Sequence, residues 1–178
     1  MRRQLSGPVG RAVSAAAVAM ALLFLYWAWG TATAQILRLT FLGFTLALSF
    51  LLYPARAGRA ATRVPFYDWI LTAAGVAAVG YALWDFDEFI YRAALPTGWD
   101  QIAGALAIVL ILEATRRTTG WVLPAVVLGF LAYAALGDRL PEPWAHQGYG
   151  VDRLVGHVYM TLEGIFGVPL EVAATFIL

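Results

Sequence analysis

The run Ala12–Trp29, AVSAAAVAMALLFLYWAW, decides the fold class. It holds eighteen residues without a charge. As an α-helix at 1.5 Å per residue it covers about 27 Å, close to the ~30 Å hydrocarbon core of a bilayer. Four more apolar runs follow: about Ile36–Tyr53, Phe66–Trp84, Trp99–Thr115 and Trp121–Leu136. Each approaches the ~20 residues that a spanning helix needs, and the last, which contains Pro124, is the shortest. The expected fold is all-α: a polytopic transmembrane protein with about five spanning helices.

Composition agrees with that reading. Hydrophobic residues make up 61% of the 178 and charged residues 13%, outside the balance of a soluble domain. Cysteine is absent, which excludes disulfides, thiolate catalysis and Cys-based metal sites. The net charge of +1 gives no footprint for nucleic acid.

The charges sort by loop. Arg2, Arg3 and Arg11 precede the first run, Arg56, Arg59 and Arg63 separate the second from the third, and Arg116 and Arg117 separate the fourth from the fifth. If every run crosses, these alternate loops share one side, and no Asp or Glu lies in them. The opposite loops carry Asp85, Asp87, Glu88, Asp100, Asp138 and Glu142 against Arg92 and Arg139. The positive-inside rule then places the N-terminus in the cytoplasm and the acidic loops outside. Six of the seven Trp residues, Trp27, Trp29, Trp69, Trp84, Trp99 and Trp121, fall at run boundaries, where the amphipathic indole favours the headgroup level.

Residues Val151–Phe166 follow a different pattern. Leu154, Val155, Val158, Leu162, Ile165 and Phe166 share one helical face, with Asp152, Arg153, His157 and Glu163 largely elsewhere. Two placements fit: a helix lying in the outer interface, or one wedged between other helices. At the N-terminus a second reading also stands, a secretory signal with Ala32-Thr33-Ala34 as an A-x-A cleavage site.

Four charges are candidate structural residues. Glu113 and Arg117 stand i, i+4 with the acid first, the favourable order for a helix pair. Asp68 lies in the first turn of the third run, where the helix dipole stabilises a carboxylate, and a basic residue such as Arg63 is a possible partner. Arg38 sits just inside the second run; it either snorkels to the interface or pairs with Asp85, Asp87 or Glu88. His146, His157, Glu142 and Glu163 show no ligand spacing of the HExxH kind, and no nucleophile elbow or phosphate loop is present. No catalytic residue and no metal site is expected. Ala73/Ala77, Ala74/Ala78 and Ala103/Ala107 allow close helix packing.

Four stretches go further: Pro65-Phe66-Tyr67-Asp68-Trp69, Glu113-Ala114-Thr115-Arg116-Arg117-Thr118-Thr119-Gly120, His146-Gln147-Gly148-Tyr149, and Thr161-Leu162-Glu163-Gly164-Ile165-Phe166-Gly167-Val168-Pro169-Leu170. In this order and spacing they resemble the fused permeases of TRAP transporters, the tripartite ATP-independent periplasmic carriers, of the TAXI type. The resemblance covers roughly residues 60–178. It implies a small four-helix membrane part over 1–117, a connecting helix and external loop over 118–150, and the start of a large transport part over 151–178. The chain is accordingly expected to be the front of a longer protein, with Pro169–Leu178 opening a further apolar helix.

The family works with a periplasmic substrate-binding protein, couples to a sodium gradient and carries organic acids such as dicarboxylates. By resemblance this segment is mainly scaffold, not an enzyme, with no cofactor of its own. The sodium and substrate sites are expected beyond Leu178. The competing expectation is a structural or assembly subunit of an inner-membrane complex without transport of its own.

Overall fold

The structure is a computed structural model and describes residues 2–30, 33–56, 63–84, 86–161 and 163–176. Ala32, Arg59, Asp85, Leu162, Ile177 and Leu178, which enter the expectations above, lie outside these residues. The described residues form α-helices and turns and contain no strand. The helices are α1 (Gly7–Trp29), α2 (Ala34–Leu52), α3 (Phe66–Trp84), α4 (Phe86–Tyr91), α5 (Gly98–Thr119), α6 (Val122–Ala135), α7 (Val151–Met160) and α8 (Val168–Phe176).

α1, α2, α3 and α5 are long and apolar enough to cross a membrane. Their 19 to 23 residues correspond to about 28–34 Å. α6 is the fifth apolar helix; its 14 residues reach about 21 Å, two thirds of the hydrocarbon core. α1 starts at Gly7, five residues before the uncharged run, because Pro8 suits a first turn and Arg11 stays exposed near that end. Pro124 is the third residue of α6, where its missing N–H has no helical acceptor to lose.

Helices α1, α2, α3 and α5 run antiparallel in turn. α2 packs against α1, α3 and α5, and α3 against α5. α2 supplies the central stripe: Leu39, Leu42, Leu46 and Phe50, at helical spacing, are all buried. Ala78, Val79 and Ala82 of α3 and Ala107, Leu110 and Ala114 of α5 close the core around it. Of the small-residue pairs, Ala74/Ala78 and Ala103/Ala107 belong to this core, whereas Ala73 and Ala77 face outward. α1 joins through a smaller cluster in which Met20 and Phe24 meet Phe41, Phe44 and Leu48 of α2. Bulky side chains at helix ends stay exposed, including Trp29, Trp69, Trp84, Trp99 and Trp121, as a belt at the membrane interfaces requires.

After α6 the chain folds back. α7 wedges against α5 and against the 3₁₀ turn Arg92–Ala94, and α8 lies against α2. One face of α7, with Val155, Gly156, Tyr159 and Met160, is buried in these contacts, while Val151, Asp152, Arg153 and His157 are exposed. The helix is also shorter than its apolar pattern: it stops at Met160, and residues 161 and 163–167 lie in bends and turns. There the Ile165 N–H donates to Val158 O at 2.8 Å, and Gly164 presses so close to the His157 and Val158 carbonyls that a Cβ would collide with them. A continuous helix through Phe166 would break this reversal. Gly104 serves the same kind of approach on α5, since a Cβ there would meet Val155 and Tyr159 of α7.

Candidate functional site

Two ends of the bundle carry charge clusters. At the arginine-rich end, where α1 and α3 begin and α2 and α5 finish, Asp68 is fully buried in the first turn of α3. Its Oδ1 accepts from Arg117 Nη1 at 2.7 Å, and its Oδ2 accepts from Arg3 Nη2. Arg63, the partner suggested by proximity in sequence, is exposed and not bound to Asp68. The correction has a simple cause. Arg63 precedes Pro65, outside the helix, and is exposed, while Arg3 comes from the segment before α1 and Arg117 from the last turn of α5.

Arg3 also closes α2. The last four carbonyls of a helix lack intrahelical partners. Here Ser49 O accepts from the Tyr53 N–H, Phe50 O and Leu51 O accept from Arg3 Nη1 at 2.9 and 3.0 Å, and Leu52 O accepts from the Arg3 backbone N–H at 2.7 Å. α2 has no basic residue in its own last turn, so Arg3 supplies the cation that the negative end of the dipole favours.

Glu113 links the rest. Its carboxylate takes two bonds from Arg116, Nε and Nη2, and one from Arg117 Nε, all at 2.7 Å. The i, i+4 pair thus forms, and Arg116 adds a bidentate i, i+3 pair to the same carboxylate. Arg117 Nη1 reaches Tyr53 O at 3.2 Å and Arg116 Nη1 reaches Ala55 O at 3.1 Å, so α5 also holds the chain leaving α2. Each guanidinium rests on an aromatic face, Arg117 on Phe50 at 5.1 Å and Arg116 on Trp121 at 5.3 Å.

At the acidic end, Asp100 is fully buried at the start of α5. It forms a capping box with Thr97: Oδ2 accepts from Thr97 N at 2.8 Å and the Thr97 side chain accepts from Asp100 N at 3.3 Å. Tyr81 of α3 donates to Oδ1 at 2.8 Å, and Arg92 Nε donates to Oδ2 at 3.2 Å. This centre was not singled out from sequence, although Thr97-Gly98-Trp99-Asp100 carries the [ST]-x-x-[DE] signature before an apolar run. Nearby, Tyr159 donates to Ala78 O at 2.7 Å, and burial pushes its pKa above the usual phenol value, keeping it a donor.

Arg38 neither snorkels nor pairs with Asp87 or Glu88. It is buried on α2 and spans to the last segment: Nη1 donates to Phe166 O at 2.7 Å, and Nη2 meets Glu171 of α8 at 2.7 Å. Glu88 instead faces Arg92 at 3.7 Å. His146 lies against Tyr133 and over Gly137, while His157 and Glu163 are exposed. Among the described residues, no three His, Asp or Glu side chains converge as metal ligands would.

Each buried carboxylate therefore holds at least two charge-assisted bonds, and these bonds join different helices. The arrangement is suited to fixing helix ends against one another. Asp100 takes five such bonds over its two oxygens, and Asp68 takes one on each oxygen. Four spanning-length apolar helices, bound into one bundle and exposing apolar surface and Trp belts, define a polytopic helical membrane protein. Compared with models of protein families, with curated proteins and with solved structures, the chain has no match.

Proposed function

We propose that this chain is the scaffold segment of a membrane permease, part of a sodium-coupled secondary transporter that receives organic acids from a periplasmic binding protein. The resemblance to TRAP permeases in four stretches motivates the reading. The observation that carries it is the Arg3–Asp68–Arg117–Glu113 network: Asp68 belongs to the first stretch and Glu113 and Arg117 to the second, and they meet in one buried cluster. A carrier that works by an elevator motion needs a part that stays still. Helix ends tied by charge-assisted bonds, with lipid-facing apolar surfaces outside them, suit a static part. In this reading the arginine-rich end faces the cytoplasm and the acidic loops face the binding protein.

The test is reconstitution of the product of the intact reading frame in proteoliposomes with its binding protein. Uptake of an organic acid that requires a sodium gradient is the expected result. No uptake under any gradient, with the protein folded and inserted, would overturn the transport reading and leave the assembly-subunit alternative.

A further inference from the structure

We infer that the arginine-rich end carries a binding site for a phosphoryl anion, the headgroup phosphate of an anionic lipid. A cavity of about 520 Å³ opens there, lined by Arg3, Pro54, Ala55, Arg56, Arg63, Pro65 and Tyr67. Among the described residues no Asp or Glu lines it. The acids of this end are already engaged: Asp68 is fully buried and holds Arg3 and Arg117, and Glu113 holds Arg116 and Arg117. Arg56 and Arg63 are exposed and have no ion-pair partner among the described residues.

A second observation points to a ligand. Arg3 is 3% exposed, and its Nε is the one buried side-chain nitrogen or oxygen without a hydrogen-bond partner among the described residues. Such a donor is costly to leave unmade, and a phosphate oxygen is the acceptor that best suits a guanidinium. The other two arginines stand at the cavity wall and donate to no acceptor among the described residues, matching the two non-bridging oxygens that share the charge of a phosphodiester. The N-terminus of α3, which starts at Phe66 directly after the lining Pro65, adds the positive end of a helix dipole.

The position selects a lipid over a free solute. Phe66, Tyr67, Trp69 and Ile70 are exposed around the start of α3, an aromatic and apolar surface at headgroup depth that acyl chains would cover. Basic pockets between spanning helices bind anionic headgroups by this combination of charge and apolar wall.

The experiment uses the chain purified in detergent, with binding read by thermal stabilisation and by native mass spectrometry. The probes are phosphatidylglycerol, phosphatidylcholine and inorganic phosphate. Phosphatidylglycerol should stabilise the protein and remain bound, and phosphatidylcholine should do neither. The double variant Arg56→Gln/Arg63→Gln, whose residues hold no part of the bundle together, should bind phosphatidylglycerol roughly tenfold more weakly or worse.

The control Arg2→Gln/Arg11→Gln removes the same charge from the same end outside the cavity. It should change binding little. Equal weakening by the control would reduce the effect to diffuse attraction and overturn the site. Equal binding of phosphatidylcholine would overturn it as well. Stabilisation by inorganic phosphate alone, lost in the Arg56/Arg63 variant, would keep the anion site and overturn its assignment to a lipid.

Discussion

Arg117 donates to Asp68 across 49 residues of sequence at 2.7 Å, joining the last turn of α5 to the first turn of α3. Both side chains are almost wholly removed from solvent, 2% and 0% exposed. A buried pair of this kind is weak evidence for stability as such, because desolvation offsets much of the attraction; removing one partner, however, strands the other. The energetic weight of the cluster therefore lies in its completeness.

Replacing Asp68 by Asn keeps shape but leaves Arg3 and Arg117 without their shared carboxylate. The expected cost is roughly 3–5 kcal/mol of unfolding free energy. Denaturant titration in detergent, followed by circular dichroism, measures it. A loss under about 1 kcal/mol would show that the network is not the tie described above.

The Arg38–Glu171 bridge is lopsided, since Arg38 is 8% exposed and Glu171 48%. Glu171→Gln should cost about 0–1 kcal/mol, as for an exposed ion pair. Arg38→Met should cost more, because the Phe166 carbonyl loses its donor and the anchor of the segment before α8 goes with it. Limited proteolysis of 161–167 in the two variants separates them. Equal cleavage rates would contradict the asymmetry.

Gly104 admits α7 to the surface of α5. Gly104→Leu should destabilise by about 1–3 kcal/mol, as overpacking does, and should detach α7 before the four long helices separate. Hydrogen exchange resolves that order. Protection of residues 151–160 falling alone is the expected outcome, and uniform loss across α5 would contradict it.

The chain has no cysteine, so single engineered thiols report topology without background. Arg56→Cys and Glu88→Cys sit at opposite ends of the bundle. In intact cells an impermeant maleimide should label Glu88→Cys, and Arg56→Cys only after permeabilisation. The reverse pattern would invert the orientation proposed here.

What could be read from sequence divides by range. Helix positions were legible because membrane length and uncharged runs are local signals: the third run coincides with α3 at Phe66–Trp84. The Glu113–Arg117 pair was legible because it lies within one helical turn. The partners of Asp68 and Arg38 were not. Arg3 is 65 residues from Asp68, and Phe166 is 128 from Arg38; no periodic pattern encodes a contact at that separation. The early end of α7 was hidden for another reason. Leu154 to Phe166 keep an apolar period that a helix would use, and the reversal rests on the approach of Gly164 to the His157 and Val158 carbonyls and on the bond from Arg38 to Phe166 O, neither of which that period encodes.

The placement of Arg3 also sets an order of events during synthesis. Arg3 leaves the ribosome among the first residues, but the carbonyls it covers end at Leu52, its carboxylate comes at residue 68, and the second arginine on that carboxylate comes at 117. Until α5 has been made, Asp68 has only one of its two cations, and the exit strand of α2 lacks the bonds from Arg116 and Arg117. The bundle can insert helix by helix, yet its arginine-rich end locks only once the fourth long helix arrives. In order of synthesis, Arg117 is the last member of the Arg3–Asp68–Glu113–Arg117 network to be made.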